Sequence, residues 1–194
     1  MSSIFKKIFS KKFYHFLLTN GVIYDIISTE KERGITMHYL HKILIETDGE
    51  TDKNCLREVA LDRLEPYQNN VYDWLEYESA GRWADEYPDN VLLGCENVEA
   101  LIEAIKESKE TQDREKEYCL QMLNTDSIKE VMEATDTMKH YYLYKLATIV
   151  EGAYNIDSYF YNSYDGDTII NDKLFEYIRE NKDNLALVIV DVHS

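Results

Sequence analysis

The sequence predicts an α+β fold, predominantly helical, in which several packed helices cover a small sheet that includes a C-terminal strand at Leu185–Val192. Three observations predict it. Apolar residues recur three and four apart over long stretches, most clearly at Met138, Tyr142, Leu146, Ile149, Val150 and Ala153, which is the period of a helix with one buried face. Leu185 to Val192 is instead apolar at nearly every position and rich in Val and Ile, the pattern of a strand buried on both faces. Seven Gly and two Pro among 194 residues leave little room for long irregular loops.

In chain order, residues 1–18 alternate Lys6, Lys7, Lys11 and Lys12 with Ile4, Phe5, Ile8, Phe9, Phe13 and Phe16, the pattern of a basic amphipathic helix. Asn20-Gly21 is a turn signal, and Val22–Ile27 reads as a strand or a helix start. Ile35, Met37, Leu40, Ile43 and Leu44 fit a helix ending near Thr47, followed by a surface turn from Asp48 to Asp52. Leu56, Val59, Ala60, Leu61 and Leu64 give a second helix, stopped before Pro66. Asn70 is placed to cap a helix carrying Val71, Trp74 and Leu75 through Trp83, with Trp74 facing the core. Val91–Leu93 is short enough for a strand, and Asn97 is placed as the N-cap of a helix with Val98, Leu101, Ile102 and Ile105 on its apolar side. Thr125-Asp126-Ser127 opens a further helix, broken near Thr135-Asp136-Thr137 before the helix from Met138. That helix runs into Tyr154, Tyr159, Phe160, Tyr161 and Tyr164 and stops at the turn Asp165-Gly166-Asp167. Asn171 or Asp172 caps a last helix with Leu174, Phe175 and Ile178. The strand at Leu185–Val192 needs partners, and Val22–Ile27 and Val91–Leu93 are the candidates. With no linker, repeat or low-complexity segment, residues 1–194 read as one domain.

The formal net charge is -16, which opposes direct binding to nucleic acid or an anionic membrane. About 21 acids stand against about 8 bases between Glu46 and Glu117, so most of the excess lies there. Three cysteines, Cys55, Cys95 and Cys119, form no C-x-x-C and cannot all pair, and two lie inside helical patterns, where a buried free thiol is the default; this points to a reducing compartment, the cytoplasm. No leader peptide or run of eighteen apolar residues is visible.

Catalytic motifs are missing. A calcium loop needs acids at its first, third and fifth positions, and neither Asp165-Gly166-Asp167 nor Asp48 to Asp52 keeps that register. His38-x-x-His41 would place two imidazoles on one helix face, but no third ligand is placed beside them, so no metal and no cofactor is expected. No G-x-S-x-G elbow, no Cys–His pair and no glycine-rich phosphate loop occurs.

Aromatic residues interleaved with acids remain. Trp83, Asp85 and Glu86 form one such group, and Tyr159, Tyr161, Tyr164, Asp165 and Asp167 form another; both suit contact with a basic protein. The expectation is a non-catalytic binding protein that neutralises a basic partner, such as a nuclease or another nucleic-acid-binding protein. It would act as an immunity or antitoxin protein does, or as a nucleic-acid mimic. Two other classes stand beside it: a metal- or carboxylate-dependent enzyme, and a peripheral membrane or scaffold protein working through residues 1–18. For residues 1–18, packing of the phenylalanines on the domain, with the lysines offsetting its acidic charge, is favoured over membrane contact, because four lysines hold a surface poorly against the acidic remainder.

Overall fold

The computed structural model describes residues 37–124, 128–133 and 137–194. The basic helix expected at 1–18, the Asn20-Gly21 turn, the candidate Val22–Ile27, the opening at Thr125-Asp126-Ser127 and the break at Thr135-Asp136 lie outside these residues. The described residues are mixed α+β: five helices and a five-stranded sheet that includes the C-terminal strand. The strands are β1 His38–Glu46, β2 Trp74–Glu76, β3 Val91–Leu93, β4 Phe160–Asn162 and β5 Leu185–His193. The helices are α1 Lys53–Leu64, α2 Gly94–Leu123, α3 Ile128–Glu133, α4 Thr137–Glu151 and α5 Asp172–Glu180. They fall into two compact units, one comprising Met37–Tyr118 with Thr148–Ser194 and the other centred on Cys119–Ala147.

β5 organises the sheet, as its composition predicts. It pairs antiparallel with β1 along its whole length, from His38 opposite His193 to Glu46 opposite Leu185. Its other edge is shared end to end by β2, against Asp191 to His193, and β3, against Ala186 to Val188. β4 lies parallel to the far side of β1.

The helix expected through Leu40, Ile43 and Leu44 is therefore a strand. Ile43, Leu44 and Ile45 are all buried because both faces of the sheet are covered, and consecutive apolar residues carry helical spacings as easily as strand ones. One face packs Ile43, Ile45, Val188 and Val190 against Leu56, Ala60 and Leu64 of α1. The opposite face packs Leu44, Leu187 and Phe160 against Leu101, Ile102 and Ile105 of α2 and Leu174 and Ile178 of α5.

Local signals fix the starts of three helices. The Asp52 carboxylate accepts the Asn54 N–H at the start of α1, and Asn171 accepts the Leu174 N–H at the start of α5. Asn97 has extended backbone within α2, and its side chain accepts the Ala100 N–H at 3.0 Å, so it does cap the main helix. Two expectations fail. The helix from Val71 to Trp83 is replaced by the short strand β2 and a 3-10 turn at Gly81–Trp83, and Trp74 is 48% exposed rather than in the core. Asn69 sits at φ 65, so the chain turns before Asn70 can cap anything. Phe160 to Asn162, hidden in the tyrosine-rich stretch, form β4.

The second unit has its own apolar centre, in which Cys119, Leu123, Val131, Tyr142 and Leu143 are buried together. His140 donates from Nε2 to the Val131 carbonyl at 3.0 Å. None of the three cysteines forms a disulfide; Cys119 is buried, and Cys55 and Cys95 are exposed. No helix among the described residues is long and apolar enough to cross a membrane.

Candidate functional site

Strand parity decides which side chains meet. Because His38 lies opposite His193 and Leu44 opposite Leu187, His38, Leu40, Lys42 and Leu44 share a face with Leu187, Ile189, Asp191 and His193. That face is apolar beneath α2 and α5 and turns polar toward His38 and His193. His38 and His41 are three apart on a strand and so point to opposite faces, which removes the paired imidazoles expected from a helix. The histidine that joins His38 is His193.

Asp191 is 2% exposed and anchors this polar end. His38 Nδ1 donates to both of its oxygens, at 2.9 and 3.0 Å. The Arg82 backbone N–H donates to Asp191 Oδ2 at 3.2 Å. The loop approaches this closely because residue 81 is glycine: it sits at φ +54, and a Cβ there would lie 2.3 Å from Asp191 Oδ2. His193 Nε2 is 3.9 Å from Asp191 Oδ1, buried and without a hydrogen-bond partner. Burial, reinforced by the adjacent His38, moves the His193 imidazole below its ordinary pKa, while Asp191 works in the other direction. The Trp74 ring stands edge-on to His193, with centroids 4.4 Å apart.

A cleft of about 380 Å3 opens beside His38. Its floor is Lys42, 2% exposed, whose Nζ donates to the Ala104 carbonyl at 2.7 Å and to Glu107 Oε2 at 2.5 Å. Tyr87 donates its hydroxyl to the same Glu107 oxygen. Burial lowers the Lys42 pKa, and the Glu107 hydrogen bond and charge offset part of that. Burial alone would raise the Glu107 carboxyl; the bonds from Lys42 and Tyr87 and the lysine charge outweigh it and hold the pKa below its ordinary value. Glu107, Ser108 and Thr111 face the cleft, and the Ala104 carbonyl meets Lys42, because these positions repeat at three and four along one stripe of α2.

Three of the eight residues expected to form a contact surface converge here: Trp83, Glu86 and Tyr159 all line the cleft. Tyr159 has φ 55, an unusual conformation for a tyrosine, and its carbonyl is held by the Lys42 N–H at 3.2 Å and the Ser108 hydroxyl at 2.8 Å. Asp85 is exposed on the loop between Trp83 and Glu86. The other four residues lie elsewhere. Tyr161 is buried in the core, where its hydroxyl is 3.1 Å from that of Tyr67. Tyr164 is exposed and stacks on Tyr177. Asp165 accepts from the Asn162 side-chain amide, and Asp167 is half-buried, its carboxyl raised by burial and by Asp165.

The sequence does not single out Lys42, Glu107 or Asp191, and it offers His193 as a further ligand without placing it beside His38. Two signals were present. A lysine directly before Ile43-Leu44-Ile45 must find a buried partner if that run is in the core. An Asp-x-His ending the most certain strand puts both side chains on one face.

His41, on the other face, is a core residue. Its Nε2–H donates to the Ile156 carbonyl at 2.9 Å, so its Nδ1 accepts the Tyr154 hydroxyl at 2.7 Å. Burial lowers its pKa to about 4 from 6.5, the Ile156 hydrogen bond opposing this only in part. The unfolded chain therefore takes up a proton that the native state refuses, and stability falls as pH drops from 6.5 toward 4. The expected loss from this group is about 3 kcal/mol across that window. Urea unfolding of the wild type and of His41→Gln at pH 7 and pH 4.5 should show a smaller pH dependence in the variant. An imidazole NMR signal for His41 that titrates near pH 6.5 in the folded protein contradicts this.

Compared with family models, with curated proteins and with solved structures, the chain matches none.

Proposed function

We propose that the protein binds and neutralises a basic protein partner, using the cleft lined by Trp83, Glu86 and Tyr159 to receive a cationic side chain. The observation that supports this most is the convergence of these three residues, 76 positions apart from Trp83 to Tyr159, on one recess. The aromatic walls of Trp83, Tyr87 and Tyr159 suit a lysine or arginine through cation–π contact. The charge of Lys42 is matched by Glu107, so Glu86 gives the lining its net sign. The volume of about 380 Å3 takes one or two side chains, the scale of an interface anchor. The acidic excess between Glu46 and Glu117 supplies the steering field. An immunity or antitoxin protein covering a nuclease has this logic, as does a mimic of nucleic acid.

The test is capture of basic proteins from a host extract at low and high salt, by the wild type, by Trp83→Ala with Glu86→Lys, and by Asp165→Lys. Capture should fall at least tenfold, about 1.4 kcal/mol or more, in the cleft variant. It should change little in Asp165→Lys and weaken with salt in all three. Equal capture by all three proteins, unaffected by salt, removes the proposal.

A further inference from the structure

We propose that His38, Asp191 and His193 form a binding site for a divalent transition-metal ion of the zinc class. This goes beyond the partner-binding reading and does not depend on it. Each of the three residues offers one ligand atom, all within 4.8 Å of one another, and the ion would take the place of the proton that His38 Nδ1 shares with Asp191, the other ring nitrogen carrying the remaining N–H. Two ligands bound at about 2.0–2.1 Å to a tetrahedral ion sit roughly 3.3 Å apart. The distances from Asp191 Oδ1 to His38 Nδ1, 2.9 Å, and to His193 Nε2, 3.9 Å, bracket that spacing. The first distance is about 0.4 Å below that spacing and the second about 0.6 Å above it, so coordination requires the side chains to rotate and the His38 and His193 nitrogens, within 4.8 Å of each other, to draw together.

Two further features separate this arrangement from a histidine–aspartate pair that only ties strands together. His193 Nε2 is buried with no hydrogen-bond partner, although it faces a carboxylate. An orphaned buried nitrogen is unfavourable in a purely structural role, whereas an ion would use its lone pair. Asp191 is also oriented as outer-shell groups orient a ligand: the Arg82 N–H holds Oδ2 at 3.2 Å, and Oδ1 is the oxygen between the two imidazoles. Two imidazoles with one carboxylate favour zinc, cobalt, nickel or iron(II) over magnesium or calcium, which take oxygen ligands. Three protein ligands leave at least one coordination position for water or a substrate, and His38 borders the cleft from which either would come.

The experiment uses the full chain, stripped with chelator and titrated with Zn2+ by calorimetry and with Co2+ by visible absorption. About one ion per chain should bind with micromolar or tighter affinity, unopposed by excess Mg2+. Co2+ should also quench the fluorescence of Trp74, whose ring abuts His193. His193→Asn and Asp191→Asn should each weaken binding by more than the roughly 10–100-fold that follows loss of an outer-shell partner. His140→Asn and Cys55→Ser, which lie outside the site, should leave it unchanged. His193 is only half-buried, so His193→Asn decides the matter where Asp191→Asn does not fold. Affinity no better than millimolar, affinity unchanged in His193→Asn, or affinity lost with the distant substitutions overturns the proposal.

Discussion

Phe160→Ala is expected to destabilise the protein by about 3–5 kcal/mol, the range for removing a fully buried aromatic ring. Phe160 is completely buried in the core cluster that includes Leu44 and Leu187 of the sheet and Leu101 and Ile105 of α2. The neighbours that would have to collapse into the space belong to different elements, each already committed to the same core, so little of the void can close. β4 pairs with β1 over only three positions, Lys42 to Leu44, so burial of the ring adds substantially to a short ladder in holding it in place. The substitution should therefore also loosen Tyr159, the preceding residue, and reshape the cleft. Urea denaturation followed by circular dichroism gives the stability change; a loss below about 1 kcal/mol would show that β4 is held otherwise.

Gly81→Ala is expected to cost about 2–5 kcal/mol, the sum of two effects. A left-handed backbone at φ +54 is disfavoured by about 1–2 kcal/mol for a residue with a Cβ. That Cβ would also stand 2.3 Å from Asp191 Oδ2 and 2.4 Å from Asp191 Cβ, and relieving such overlap costs about 1–3 kcal/mol. Gly49→Ala separates the two effects. Gly49 sits at φ +85 with nothing near its added methyl, so only the backbone penalty applies. Parallel denaturation of both variants should show Gly81→Ala clearly the worse. NMR shifts of His38 and Asp191 should move in Gly81→Ala alone. Equal losses would mean that the loop does not press on Asp191.

The parts of the fold legible in the sequence are those whose pattern admits one reading. β5 is apolar at nearly every position and too short for a buried helix, so it declares itself. α1, α5 and the cap at Asn97 are marked by local hydrogen-bonding chemistry at their ends. β1 was misread because a strand covered on both faces has no alternation to show. β2 and β4 have three residues each, and the edges they join determine them more than their own composition does. Trp74 followed from the same error, since a tryptophan at helical spacing looks like core, while on an edge strand it lies over His193. The polar site was hidden for a different reason. His38 and His193 belong together only through the register of β1 on β5, and register depends on the whole antiparallel pair. Composition alone singles out Trp83 and Glu86 as candidates, but their meeting with Tyr159 depends on α2 and β4 reaching the same place.

The strand that occupies the middle of the sheet is also the last of the five described strands to emerge during synthesis. His38 and Asp191 are 153 residues apart, so the ladder they help to close must wait for nearly all of the intervening chain. Pairings of such long range are slow to find, and until β5 arrives β1, β2 and β3 present edges that a neighbouring nascent chain can capture. Arrest of translation before residue 185 should therefore leave a product bound by chaperones or aggregated, however intact α1 and α2 are by then.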